Sequence, residues 1–345
     1  MVCKDKLFMF KFALHDISMK ERKNKEWNMA PLPEAENIYI PSVLKQYQDG
    51  EIDLICILGP TASGKTRYAV AVAREIDKLL ACDGNAARAR AEIISGDSRQ
   101  VYRGMDIGTG KDLDEYGDVP YHLIDIAPAG SKYNIYEYQR DFETAYQDIR
   151  ERGCIPILCG GSGLYIEAAT CSYSLPEVPA NPGLREELEK EDTETLIRRL
   201  AALKPLHNST DYDTRKRLIR ALEIAIHEQS NPAPRSSFLP KKTFYIGTLV
   251  DRDERNARID RRLDARIEEG LVEEVKNLMD SGIPAEDLIY YGLEYKFVTL
   301  YITGEIGMEE MREKLAVAIH QFAKRQMTWF RGMERKGIRI HWTRV

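Results

Sequence analysis

The residues Gly59-Pro60-Thr61-Ala62-Ser63-Gly64-Lys65-Thr66 fit the spacing GxxxxGK[ST] at every fixed position. Loops of this kind hold phosphate: glycines let the backbone turn tightly, and the amide groups of the loop and of the following helix point at an anion. Lys65 adds a point charge, and the Thr66 hydroxyl can meet a phosphate oxygen or Mg²⁺. A second candidate is Asp97-Ser98-Arg99-Gln100, where a carboxylate after a short apolar run can serve as general base or metal ligand. Asp and Ser are also good helix caps, and the residue types alone leave both roles open. A third is Gly160-Gly161-Ser162-Gly163, whose N–H groups and Ser162 hydroxyl suit an anion, although a plain strand-to-helix turn has the same composition. Nothing in the loop pattern says which phosphorylated compound is bound.

These loops need elements to hold them. Asp53–Leu58, Glu92–Ser95, Tyr121–Ile126, Ile155–Cys159 and Phe244–Leu249 are short apolar runs and read as strands. Lys65–Leu79 and Tyr136–Arg152 have helical spacing and lie between them. Strands alternating with helices predict a parallel sheet covered on both faces, with ligands at the carboxyl ends of its strands. All three candidate loops fall at such ends. The fold class expected is α/β: a P-loop NTPase-like parallel sheet with flanking helices, a helical insertion and a helical C-terminal part. The expected bounds are an N-terminal extension of unassigned role at 1–50, the first part of the core at 51–171, the insertion at 172–213, and the rest at 214–345. Within them, Ala81–Ala91 reads as a small insertion and Asn231–Pro240 as a break. Leu184–Leu203, Asp253–Asp280 and Met308–Arg331 read as helices, as does Ala285–Thr303 with a break at Gly292.

Composition narrows the class. The 345 residues carry a net charge of −5, so no global charge marks a nucleic-acid binder. The charge is uneven, however: residues 316–345 hold seven Lys or Arg against one acid, Glu334. Within this stretch Gln321–Arg331 interleaves Lys324, Arg325 and Arg331 with aromatics, a pattern that suits phosphate contact and base stacking, or an amphipathic core helix. Arg215-Lys216-Arg217-Leu218-Ile219-Arg220 is a second basic run, which a solvated helix face would also explain. The six cysteines show no CxxC pair, and reduced thiols are expected. No apolar run approaches the ~20 residues of a membrane span, and Leu7–Leu14 does not read as a signal peptide. A cytoplasmic location and a monomer are expected.

With these motifs in order, the sequence resembles the tRNA dimethylallyltransferases, or tRNA isopentenyltransferases. The resemblance runs from about Ile55 to Arg331 through GPTASGKT at 59–66, DSRQVYRGMDIGTGK at 97–111, HLIDI at 122–126, GGSGLYIEA at 160–168, KRLIRALEI at 216–224, DR at 251–252, RIDRR at 258–262 and FAKRQMTWFR at 322–331. It implies transfer of a dimethylallyl group from dimethylallyl diphosphate to N6 of the adenosine 3′ of the anticodon, with Mg²⁺ assisting. The resemblance further implies that the loop from Gly59 to Thr66 holds the diphosphate, with Thr61, Ser63, Lys65 and Thr66 supplying side chains and Thr66 the metal contact. Arg258 and Arg262 would reach the diphosphate, Asp97 would take the N6 proton, and Ser162 stands where the family has Thr. Asp97–Gln100, Lys216–Arg220 with Leu218 and Ile219, and Lys324, Arg325 and Arg331 would grip the anticodon arm. Where the family usually has an Ile-Gly-Tyr-Lys-Glu-like segment this chain reads Tyr291-Gly292-Leu293-Glu294-Tyr295-Lys296, and Ile319-His320-Gln321 replaces Thr-Arg-Gln. Competing expectations are a prenyltransferase acting on free adenine nucleotides, a P-loop kinase, and a catalytically weak tRNA-binding paralogue.

Overall fold

A computed structural model describes residues 31–82, 90–171, 178–204, 214–230 and 239–345. Most of the expected N-terminal extension, and most of the segments at 81–91, 172–213 and 231–240 expected to be inserted or broken, lie outside or only partly within these residues. The described chain begins with α1 (Ile40–Gln48), whose Ile40, Val43 and Leu44 pack into the core. The main sheet uses β1 (Leu54–Leu58), β2 (Ala91–Ser95), β4 (Tyr121–His122), β6 (Ile155–Gly160), β7 (Thr243–Leu249) and β8 (Ile340–Arg344). Their order is β4-β2-β6-β1-β7-β8, every pair parallel. β3 (Tyr102–Arg103) and β5 (Ala127–Pro128) form a separate parallel pair.

The run Leu-Ile-Cys-Ile-Leu of β1 is fully buried because the sheet is covered on both faces. Ile55 and Ile57 join one core, with α2 (Lys65–Cys82) through Ala69, Val70, Ala73 and Ile76. Leu54, Cys56 and Leu58 point the other way and join the core formed with α3 (Ile135–Glu151) and α4 (Gly163–Thr170). This alternation is the two-residue period of a strand. None of the described cysteines forms a disulfide, and Cys56, Cys154 and Cys159 are buried.

The helical segments divide more finely than their periodicity implies. The stretch 184–203 is two helices, α5 (Pro182–Glu189) and α6 (Thr193–Leu203), because Asp192 caps the second by accepting from Thr195 N–H. Leu188, Leu196 and Leu200 share a small core with Leu218, Ile219 and Leu222 of α7 (Arg215–Ser230). The stretch 253–280 is broken at Gly270, whose φ of 105° no helical residue adopts, into α8 (Arg252–Glu268) and α9 (Leu271–Asp280). α10 (Ala285–Tyr290) and α11 (Leu293–Ile302) meet at Gly292, and α12 (Met308–Arg335) runs 28 residues. The expected strand at 121–126 pairs only over Tyr121–His122: Leu123 and Asp125 have positive φ, and the chain turns away toward β5. The C-terminal strand β8 was not expected. Gly337 ends α12, and the following residues add an outer strand to β7.

Candidate active site

The loops after β1, β2 and β6 converge, as the sheet geometry requires, on a cavity of about 350 Å³ at the carboxyl edge of the sheet. The first is held tight by its neighbours. A side chain at Gly59 would place Cβ 2.1 Å from Thr248 Oγ1, so only glycine fits beside β7 there. Ala62 and Gly64 take positive φ to complete the turn. Of the loop, Thr61, Lys65 and Thr66 line the cavity. Gly59, Pro60, Ala62, Ser63 and Gly64 shape it from outside the lining. Ser63 departs from its expected role: the side chain is fully buried and its hydroxyl bonds Thr248 Oγ1 at 2.6 Å, turned into the core rather than toward a ligand. α2 begins at Lys65, so its first-turn N–H groups lack intrahelical partners and face the loop. Burial is the main effect that holds the Lys65 ammonium below its ordinary value, with nearby Arg262 adding to it.

Asp97 both caps a turn and borders the cavity. Its Oδ1 caps the turn by accepting from Arg99 N–H at 2.9 Å, while the side chain lines the cavity. Ser162 Oγ accepts from Ser98 N–H at 3.2 Å and lies 3.3 Å from Ser98 Oγ, tying the second and third loops together. Gln100 accepts from Ser95 Oγ and donates to Gly110 O. Gln326 of α12 was not anticipated as a site residue. It is 7% exposed, accepts from Thr61 N–H at 2.8 Å and donates to Gly161 O at 2.9 Å, so one amide joins the first loop to the third.

Another part of the wall comes from the loop 106–112, through Gly108, Thr109 and Gly110. Glu274 of α9 accepts from the N–H groups of Asp106, Ile107 and Gly108 at 2.8, 2.7 and 3.0 Å, and from Tyr295 O–H at 2.7 Å. Lys111, 1% exposed, reaches Tyr102 O, Asp106 and Asp125. These contacts fix Gly108, Thr109 and Gly110 in the cavity wall. Arg262 and Arg266, one turn apart on α8, line the same cavity, and Arg262 is hydrogen-bonded to Asp112. Arg258 lies outside the lining and pairs with Glu254 at 2.9 Å. Glu294 joins the lining from α11, and burial raises its carboxyl above the ordinary value.

The basic segments divide by position. Arg325 lines the cavity, 5.8 Å over the ring of Phe322, which also lines it and is 38% exposed. Lys324 is outside the lining, and Arg331 donates to Pro31 O at 2.9 Å. Phe330 is core, whereas Trp329 is partly exposed and donates to Glu167. In the other segment Leu218 and Ile219 are buried in the small helical core, which removes them from the expected RNA contacts. Arg220 is occupied with Glu223 and Val178 O. Lys216 and Arg217 are exposed. Lys216 lies 5.7 Å over the ring of Tyr290, which is 45% exposed, and Arg99 sits 5.6 Å from the same ring.

A parallel sheet carrying a phosphate loop at its carboxyl edge defines a P-loop α/β protein. The IPP transferase family model matches residues 100–333. A tRNA dimethylallyltransferase 2 of Porphyromonas gingivalis is 57% identical over 293 residues, covering 84% of this chain and 93% of that protein. One from Bacteroides fragilis is 53% identical over 296 residues, covering 85% and 92%. The crystal structure of a full-length tRNA isopentenylpyrophosphate transferase from Bacillus halodurans superposes with a TM-score of 0.59 at 34% identity, over 85% of this chain and 89% of that one. The chain belongs to the IPP transferase family.

Proposed function

We propose that this protein transfers the dimethylallyl group of dimethylallyl diphosphate to N6 of the adenosine immediately 3′ of the anticodon in tRNA. The observation that carries the reading is the joint presence, around one cavity, of the phosphate loop after β1 and a carboxylate after β2, two strands away. Lys65, Thr66, Thr61 and Arg262 supply donors for the diphosphate, and Asp97 faces the same space. The N6 lone pair attacks C1 of the donor as the C–O bond breaks, and the bonding electrons leave with the diphosphate. The N6 proton passes to Asp97. Donors around the leaving group stabilise the charge that grows on it, and the positively charged loop does so with little rearrangement. Ser162 positions the Asp97–Ser98 turn through its bond to Ser98 N–H.

Mg²⁺ fits this donor set in a limited way. Among the described residues no cluster of three or more His, Cys, Asp or Glu side chains is placed to hold a metal ion. A Thr66 hydroxyl on the cavity wall, completed by diphosphate oxygens and water, matches the hard, water-rich shell that Mg²⁺ prefers. Bound there, the ion would neutralise charge on the leaving group.

The acceptor base must leave its stack to reach Asp97. Tyr290 with Arg99 and Lys216, and Phe322 with Arg325, offer aromatic faces and cations around it for neighbouring nucleotides. Incubating the protein with labelled dimethylallyl diphosphate and total tRNA, then digesting to nucleosides, tests the reading. Label in N6-dimethylallyladenosine supports it. Label transferred to AMP but not to tRNA would favour an enzyme of free nucleotides.

A further inference from the structure

Arg266 is a cavity arginine whose guanidinium is short of hydrogen-bond acceptors. Its side chain is 12% exposed, and no described residue hydrogen-bonds any of its nitrogens. It forms an ion pair with Asp112 Oδ2, but at 3.8 Å from Nη2 that oxygen, which Arg262 hydrogen-bonds, is beyond hydrogen-bond reach. The other charged groups around it are Arg262, Glu294, Asp112 and Glu269, and Lys65 and Asp97 line the same cavity. Burying a guanidinium without an acceptor is costly, and the cost is met when an anion arrives.

The backbone has been shaped to admit this side chain. Gly110 takes φ +63°, and a Cβ there would lie 1.8 Å from Arg266 Nη2 and 2.7 Å from Arg262 Nη2. Glu274 fixes the loop from the other side through Asp106, Ile107 and Gly108. The guanidinium therefore sits against this loop, and Arg266 lines the same cavity as Thr61, Lys65 and Thr66.

We infer that Arg266, seated on Gly110, is a diphosphate-binding residue of this enzyme, holding the leaving group from α8. The inference rests on the reading that a diphosphate occupies this cavity. Arg262, beside it, hydrogen-bonds Asp112, while Arg266 stays beyond hydrogen-bond distance of that carboxylate. Burial, with Arg262 beside it, also holds the Arg266 guanidinium below the ordinary arginine value, although Glu294, Asp112 and Glu269 oppose the shift.

The test measures binding of inorganic diphosphate with Mg²⁺ to the full chain by calorimetry, alongside unfolding in denaturant. Arg266→Met should weaken diphosphate binding by about 10–100-fold, the loss of one or two charge-assisted hydrogen bonds. Its unfolding midpoint should be unchanged or raised, because a buried guanidinium short of hydrogen-bond acceptors has been removed. Arg266→Lys, which keeps the charge but not the planar fork, should bind more weakly than the parent. Gly110→Ala should weaken binding as well, by displacing the guanidinium. Parent-like affinity in Arg266→Met overturns the inference, as does parent-like affinity in Arg266→Lys should the Met variant not fold. If the parent itself fails to bind diphosphate, the occupancy of the cavity is wrong and the inference falls with it. If the parent binds diphosphate but modifies no tRNA, only the acceptor in the proposed function is at fault.

Discussion

Gln326 makes a demanding test of how the site is assembled, because one side chain on α12 connects two loops 265 and 165 residues away. Gln326→Leu keeps the bulk and removes both hydrogen bonds. The Gly161 carbonyl is then buried without a donor, which costs about 1–3 kcal/mol. The Thr61 N–H borders the cavity, where water can reach it, so its loss falls at the low end, about 1 kcal/mol. The variant should therefore lose about 2–4 kcal/mol of unfolding free energy in urea. It should also bind diphosphate about tenfold more weakly, since a misplacement of the first loop worth ~1.4 kcal/mol suffices for that. Gly161→Ala attacks the same interaction from the other side, because its Cβ would lie 2.6 Å from Gln326 Nε2. The two changes should combine less than additively. Unchanged stability together with unchanged diphosphate affinity in the Leu variant would refute the coupling of the two loops.

Three further outcomes follow from the geometry. Asp97→Asn should leave donor affinity nearly intact while slowing single-turnover transfer by about 10²–10⁴-fold, as loss of a general base does; transfer at the parent rate would reduce Asp97 to a turn cap. Replacing Lys324 and Arg325 by Ala should weaken tRNA binding and flatten its log–log salt slope by about 0.7–0.9 for each phosphate that is no longer neutralised, and an unchanged slope across a salt series would assign both cations to solvent. The Arg152 guanidinium, with His122 assisting, holds the buried Glu92 carboxyl at about 2 against an ordinary 4.5. Its contribution to stability is therefore present above about pH 4.5 and disappears as pH falls toward 2. Urea unfolding over that window should show a shallower pH dependence in Glu92→Gln, and identical curves would count against the pairing.

Much of this site was legible because its loops are local. A phosphate loop declares itself in eight consecutive residues, and strand-end placement follows from alternating apolar runs and helices. Asp97 and Ser162 stand out in this way, and the cavity contains both. What stayed hidden depends on interactions between distant segments. Nothing near Ser63 announces that Thr248 will take its hydroxyl, and nothing near Gln326 points to Thr61. Glu274 reads as one acid among many on an amphipathic helix, and only the fold shows that it gathers three backbone N–H groups. Leu218 and Ile219 look like members of a basic run, although their apolar side chains are the signal that this face packs inward. The Arg258–Arg262 spacing continues to Arg266 at the same four-residue step, a helical signal that the sequence offers but the family motif does not extend to.

The most direct test of the central claim uses a synthetic anticodon stem–loop with dimethylallyl diphosphate and Mg²⁺. Two RNAs are compared: one with adenosine 3′ of the anticodon, and one with purine riboside there, which lacks the N6 amine. Mass spectrometry of the RNA and assay of released diphosphate follow each reaction. The account predicts one dimethylallyl group added to the adenosine RNA, one diphosphate released per group transferred, and no addition to the purine RNA. Equal addition to both RNAs, or diphosphate released without prenylated RNA, would contradict it.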